Sequence, residues 1–235
     1  MFRPSGAFAV LALALPAVAH GQALSCRAPA DFPMPRVSRV DPEEVRRTPV
    51  TWYTLALSWS PQHCHRPRAQ DRFQCGGAGG RFGFVLHGLW PEGEGRQWPQ
   101  YCRPASAVPR AVLRQHLCTT PSPELLQHEW ERHGSCMTND PARYFRAGSI
   151  LYRAIRYPDM AALSRETTLR VADFKRAFAG TNRGIRESMI AVETNRGGWL
   201  NEVRICLARN FRPMRCPAQQ RGAPAGARLR IAPLR

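Results

Sequence analysis

Two short segments of this chain concentrate side chains able to move protons: Val85-Leu86-His87-Gly88-Leu89-Trp90-Pro91 and His128-Glu129-Trp130-Glu131-Arg132-His133-Gly134-Ser135-Cys136. At about 100° per residue, a helix through the second segment sets His128, Glu129, Arg132 and His133 at about 0°, 100°, 40° and 140°. One face then carries two imidazoles, a carboxylate and a guanidinium, while Trp130 and Glu131 point elsewhere. A polar stripe is usually a solvated face, yet four such groups are costly to bury without purpose. Imidazole titrates near neutrality, so a pair of them serves as acid and base. Arg and a further His stabilise negative charge developing on phosphoryl oxygens. The inventory suits cleavage of a ribose phosphodiester by its own 2′-hydroxyl, which needs a base for that hydroxyl, an acid for the departing 5′-oxygen and cations around phosphorus. A zinc-peptidase reading of His-Glu fails on spacing. His133 lies about 140° around the helix from His128, against about 40° in H-E-x-x-H. No other His, Asp or Glu cluster has metal-ligand spacing, so neither metal nor cofactor is expected.

The elements that must hold these groups follow from periodicity and punctuation. Trp52 to Trp59 alternates large apolar residues with small polar ones, the period of a strand, and Pro61 ends it. A glycine-rich loop leads to a second strand, Arg81 to Leu89, bounded by Pro91, whose pleat puts His87 on the side of Val85 and opposite Phe84 and Leu86. Pro and Gly make a loop of Pro91 to Pro109. Helical patterns follow at Ala111 to Leu117, Pro123 to His133, Pro141 to Arg156 and Arg170 to Phe178, the second and third opening on proline. Late strands at Glu187 to Glu193 and Leu200 to Leu207 flank the turn Asn195-Arg196-Gly197-Gly198. Strands, then helices, then strands predict an α+β fold, a central antiparallel sheet packed against several helices.

At 235 residues, with 43% apolar content, six Trp and ten Phe, the chain can bury a real core, which excludes disorder for its bulk. The net charge is +17, and Lys175 is the only lysine among 34 basic residues. Such a field favours polyanionic partners, though an arginine-biased surface would look the same. Residues 1–23 read as a secretory signal: Arg3, an apolar run from Ala7 to Val18, then small residues around Ala19 to Ala23. The run is too short to span a bilayer, so no stable membrane insertion is expected. Residues 24–50 are proline-rich and extended, residues 51–217 form the folded domain, and residues 218–235 form a basic tail with little to bury, expected to be disordered. Eight cysteines in an exported chain imply up to four disulfides. Cys64 with Cys75 and Cys206 with Cys216 each bracket a short polar loop that a bridge would close. A lipid anchor on Cys26, which follows Ala-Leu-Ser, is a minor alternative.

At its reactive residues the sequence resembles the ribonuclease T2 family of secreted acid endoribonucleases. The HGLWP block is present as His87 to Pro91, and the HEWxKHG block as His128 to Gly134. Supporting similarity runs from LSWSPxxC, Leu57 to Cys64, through Tyr144-Phe145, to LxEVxxC, Leu200 to Cys206, and Cys216-Pro217, covering roughly Tyr53 to Pro217. The resemblance implies a monomeric, metal-independent enzyme, periplasmic or extracellular, acting on single-stranded RNA with low base specificity and yielding 2′,3′-cyclic phosphates and then 3′-phosphates. It makes His87 and His133 the acid/base pair, with His133 favoured as base and His87 as acid. His128 becomes a phosphate-binding group, Glu129 and Arg132 polarise the phosphate, and Trp90, Glu92 and Trp98 bind a base. Arg132 stands where the family has lysine, which keeps the charge and changes its shape. Cys102 with Cys136 and Cys206 with Cys216 are implied disulfides, and Cys26 and Cys118 would then meet. His63, His65 and His116 have no role in this scheme. The rival reading is a cationic RNA-binding protein on the same scaffold without catalysis.

Overall fold

The computed structural model describes residues 24–95 and 97–234, so the export signal read from residues 1–23 lies outside the described residues. Strands β1 (Ser25–Cys26), β2 (Trp52–Trp59), β3 (Gly80–Arg81), β4 (Phe84–Glu92), β5 (Ile190–Thr194) and β6 (Leu200–Ala208) build two antiparallel sheets. The larger has the order β4-β2-β6-β5, and β1 and β3 form a two-stranded ribbon. Among the described residues there are seven α-helices: α1 (Ser60–His63), α2 (Arg72–Cys75), α3 (Arg110–His116), α4 (Pro123–Arg132), α5 (Pro141–Ala154), α6 (Met160–Arg165) and α7 (Val171–Thr181). The fold is the expected α+β arrangement.

Alternation along β2, β4 and β6 sends Leu55, Leu57, Leu86, Leu89, Val203 and Ile205 into one core. Leu126 and Trp130 of α4, Tyr144 and Tyr152 of α5, and Phe174 and Phe178 of α7 meet them there. Full burial of each such side chain is worth about 1.5–3 kcal/mol. Helix α4 starts where its sequence says it should, with the Ser122 hydroxyl accepting from the Leu125 N–H at 3.1 Å and Pro123 in the first turn. Its apolar face is nailed to the sheet, so the opposite face is fixed over β4.

Strand β4 differs from its sequence reading in a way that shapes the site. It runs Phe84–Glu92, so Pro91 lies inside it; β4 is an edge of the sheet, where a missing N–H costs no ladder bond. The register steps from Ala56 opposite Gly88 to Leu57 opposite Leu86, leaving His87 as the extra residue of a β-bulge. In an unbroken strand residues three apart face opposite ways. The bulge instead brings the His87 and Trp90 rings within 5.1 Å on one side, while Leu86 and Leu89 both enter the core. The other late strand starts later than read, because Glu187–Met189 is a 3-10 turn ahead of β5.

All eight cysteines pair: Cys26 with Cys118, Cys64 with Cys75, Cys102 with Cys136, and Cys206 with Cys216. The lipid-anchor alternative for Cys26 is thereby removed. The expectation of a disordered tail is also overturned for residues 218–234. Leu229 and Ile231 are 1% and 3% exposed. The Leu229 N–H donates to the Leu169 carbonyl, the Leu200 N–H to the Arg230 carbonyl, and the Trp59 indole N–H to the Ala232 carbonyl. Two apolar residues spaced by two, each preceded by arginine, are enough to add an extended segment to the body of the fold.

Candidate active site

A cleft of about 380 Å³ opens between β4 and α4, and its lining includes all eight residues that the sequence singled out: His87, His128, Glu129, Arg132, His133, Trp90, Glu92 and Trp98. Three arrive by the bulge and pleat of β4, namely His87, Trp90 and Glu92, and four by the cleft-facing side and C-terminus of α4. His133 caps α4, its N–H bonded to the Glu129 carbonyl at 3.0 Å. The next residue must be small, because a Cβ on Gly134 would sit 2.5 Å from the Trp130 ring and 2.9 Å from that of Tyr144. Trp98 comes from the loop after β4. Its indole N–H donates to Gln100 at 3.1 Å, and the Arg46 guanidinium lies 4.1 Å from its ring centroid.

Trp90 is the hub. Its N–H donates to Glu129 Oε2 at 2.8 Å, its ring stacks at 5.5 Å on that of His133, and the Arg204 guanidinium lies 5.2 Å from its centroid. His87 is held between two buried carboxylates: Nδ1 is 2.5 Å from Glu202 Oε2, and Nε2 is 3.6 Å from Glu129 Oε1. Glu202 is in turn bonded by Arg204 Nε at 2.7 Å, and the Ser58 hydroxyl lies 3.4 Å from His87 Nδ1. Arg132 donates to Gln100 Oε1 at 3.1 Å. Arg132 Nε and His133 Nδ1 are buried without a hydrogen-bond partner among the described residues. Glu92 accepts from the Thr54 hydroxyl at 2.7 Å.

These surroundings push the two central imidazoles apart. Burial opposes charge on His87, but the Glu202 hydrogen bond and the charges of Glu129 and Glu202 outweigh it and raise its pKa above the ordinary imidazole value. His133 is pushed well below that value by burial, reinforced by Arg132, His128 and His87. His128 is lowered by the same kind of causes, burial first and Arg132 next, so near neutrality it is a neutral N–H donor. Burial lifts the Glu129 carboxyl to about 7 against the pull of His87 and the Trp90 N–H. Glu202 shows the reverse balance: burial would raise it, but its bonds to His87 and the neighbouring Arg204 hold it below the ordinary carboxylate value.

Sequence reading missed Glu202, Arg204, Thr54, Gln100 and Gln220, of which Arg204 and Gln220 line the cleft. A signal existed for two of them, since Glu202 and Arg204 alternate with Val203 and Ile205 and so share the polar face of β6. His116 lies outside the cleft, buried against the Ser149 hydroxyl at 2.8 Å, where burial and two arginines depress it to about 4. His63 and His65 also lie elsewhere.

Comparison with known proteins gives the family and the fold. The Ribonuclease T2 family model matches residues 50–216, and the chain belongs to that family. A probable ribonuclease of Haemophilus influenzae is 37% identical over 133 residues, covering 51% of this chain and 48% of its own length. A ribonuclease of Aeromonas hydrophila is 34% identical over 162 residues, covering 66% of this chain and 71% of the relative. The match thus spans about half of the Haemophilus protein. Among solved structures, an RNase-related protein from Calystegia sepium superposes with a TM-score of 0.62 at 20% identity, over 79% of this chain and 98% of that one, which is a likeness of fold. Among the described residues no helix is long and apolar enough to cross a membrane.

Proposed function

We propose that the chain is an exported endoribonuclease that cleaves single-stranded RNA without a metal, first to 2′,3′-cyclic phosphates and then to 3′-phosphates, with low base specificity. The observation that carries this reading is the opposed protonation bias of His87 and His133 on either flank of Trp90 in a single cleft. Titratable groups driven apart by their environments are the mark of a divided acid/base task. His133, neutral near pH 7, takes the 2′-hydroxyl proton as the 2′-oxygen attacks phosphorus. His87, protonated, gives its proton to the 5′-oxygen as the P–O5′ bond breaks, which leaves a cyclic phosphate and a free 5′-hydroxyl. Arg132 and the His128 N–H bind the non-bridging oxygens, and Glu129, beside His87 Nε2, helps polarise the phosphate. Water then opens the ring with the two imidazoles in exchanged roles.

Trp90 acts chiefly as a strut, since its N–H and ring are already engaged by Glu129, His133 and Arg204. Trp98 and the unused oxygen of Glu92 are left to face a base. Four disulfides favour an oxidising compartment, periplasmic or extracellular. The test is incubation of the purified protein with a dinucleotide in excess chelator: cyclic phosphate product is expected. An intact dinucleotide that nonetheless binds would leave a cationic binding protein.

Glu202 is a positioning residue in this scheme, fixing the His87 ring through Nδ1 and supporting its proton. Its effect has a definite sign. Activity should rise with pH as His133 loses its proton and fall at higher pH as His87 loses its own. Glu202→Gln removes a charge that raises His87, so the descending limb of kcat/KM moves to lower pH while the ascending limb stays, because Glu202 is not among the groups acting on His133. The rate at the optimum should fall about tenfold or more. A descending limb that stays in place would remove Glu202 from the mechanism.

A further inference from the structure

Two features of the sequence stand outside this chemistry: the histidines flanking Cys64, and the basic tail. The fold brings both to one place. A groove of about 670 Å³, larger than the cleft, lies between the residues after β2, the β5–β6 turn and tail residues 232–233. Its walls present His63, His65, Arg66, Arg196 and Trp199, and among the described residues lining it none is acidic. Asp71, which is not among the lining residues, lies 3.3 Å from His63 and accepts from the Arg68 N–H at 2.7 Å. Arg66 and Arg196 are exposed, and neither makes an ion pair among the described residues. Trp199 is half-buried: its backbone N–H donates to Asn195 Oδ1 at 3.1 Å, as the Gly197 N–H does at 2.8 Å, and the Arg230 guanidinium lies 5.9 Å from its ring centroid.

Unpaired guanidinium groups beside a partly open indole are the components of single-strand recognition: cations that track phosphates and a flat surface on which any base stacks. We propose that this groove is a second RNA-binding site, holding a single-stranded segment of a longer substrate with its phosphates on Arg66 and Arg196 and a base against Trp199. The inference rests on the ribonuclease reading for its purpose. Trp199 immediately precedes β6, which carries Glu202, and Pro61 lies in α1 just after β2, which carries Ser58, so the groove lies at the end of the two strands whose residues touch His87. A dinucleotide bound at the cleft falls short of it, and a dodecanucleotide reaches it.

The test uses the full chain and two variants, Arg66→Ser/Arg196→Ser and Trp199→Ala. Binding of a non-cleavable 2′-O-methyl dodecanucleotide is followed by fluorescence anisotropy across a salt series, alongside kcat/KM on a dinucleotide and on the cleavable dodecanucleotide. The expected result is about tenfold weaker dodecanucleotide binding in each variant, with a matching fall in its kcat/KM and no change on the dinucleotide. In the arginine variant the slope of log affinity against log salt should also shrink by about 1.4, or about 0.7 for each lost phosphate contact. Both arginines are exposed, so that variant does not depend on the packing of Trp199. Unchanged dodecanucleotide affinity and slope would overturn the proposal. If the wild type cleaves neither substrate, the ribonuclease reading fails by itself, and the anisotropy still decides the groove.

Discussion

Alanine at His133 is expected to lower kcat on a dinucleotide by about 10²–10⁴-fold, and alanine at His87 by a similar factor. The two losses should differ in character. Without His133 the 2′-hydroxyl has no neutral imidazole to receive its proton, so the rising limb of the pH profile should disappear. Without His87 the leaving oxygen must depart unprotonated, and a substrate with a better leaving group should recover part of the rate. The double variant should fall well short of the product of the two losses, because Arg132 and His128 still hold the phosphate and groups that act as a unit are not additive. Folding should survive in both. His133 Nδ1 has no hydrogen-bond partner among the described residues, the His87 side chain is one-third exposed, and both rings line the cleft outside the apolar core. Near-ultraviolet circular dichroism and thermal unfolding check that point, and full activity in either variant would undo the site assignment.

The second large effect is steric. A Cβ built on Gly88 collides with the Glu129 carboxylate and lies 2.6 Å from the Trp90 indole nitrogen. Gly88 does not have the left-handed backbone that itself demands glycine, so the obstruction comes from the site. Gly88→Ala should push Glu129 and Trp90 off their hydrogen bond and with them the His133 ring that stacks on Trp90. Misplacement of about 1 Å in a reacting group costs about 10²-fold, so kcat should fall by that order. Overpacking should cost about 1–3 kcal/mol of stability. The discriminating measurement is the same substitution in a Glu129→Ala background. With the carboxylate gone the collision is relieved, and Gly88→Ala should then add little. An equal loss in both backgrounds would show that glycine is needed there for some other reason.

The half of the site on α4 was legible because it obeys a local rule: His128, Glu129, Arg132 and His133 fall on one face of a helix whose start is marked by Ser122 and Pro123. The bulge at His87 was not, since an extra residue in a ladder is decided by the partner strand and carries no signature of its own beyond the glycine that follows. Glu202 illustrates the same limit. Its partner, His87, lies 115 residues away, and only the pairing of β2 with both β4 and β6 brings them together. The tail was misread for a quantitative reason. Composition averages over a window, and Leu229 and Ile231 are diluted by the Arg, Ala, Gly and Pro around them. Two well-placed apolar side chains with backbone bonds to a sheet outweigh that average.

That placement changes what counts as the smallest workable polypeptide. Residues 50–216 mark what this chain shares with its family. A recombinant product ending at the last shared cysteine would leave a slot beneath the sheet where Leu229 and Ile231 belong, and an indole nitrogen at Trp59 stripped of its acceptor. An affinity tag fused directly after Leu234 would sit at the mouth of the second groove.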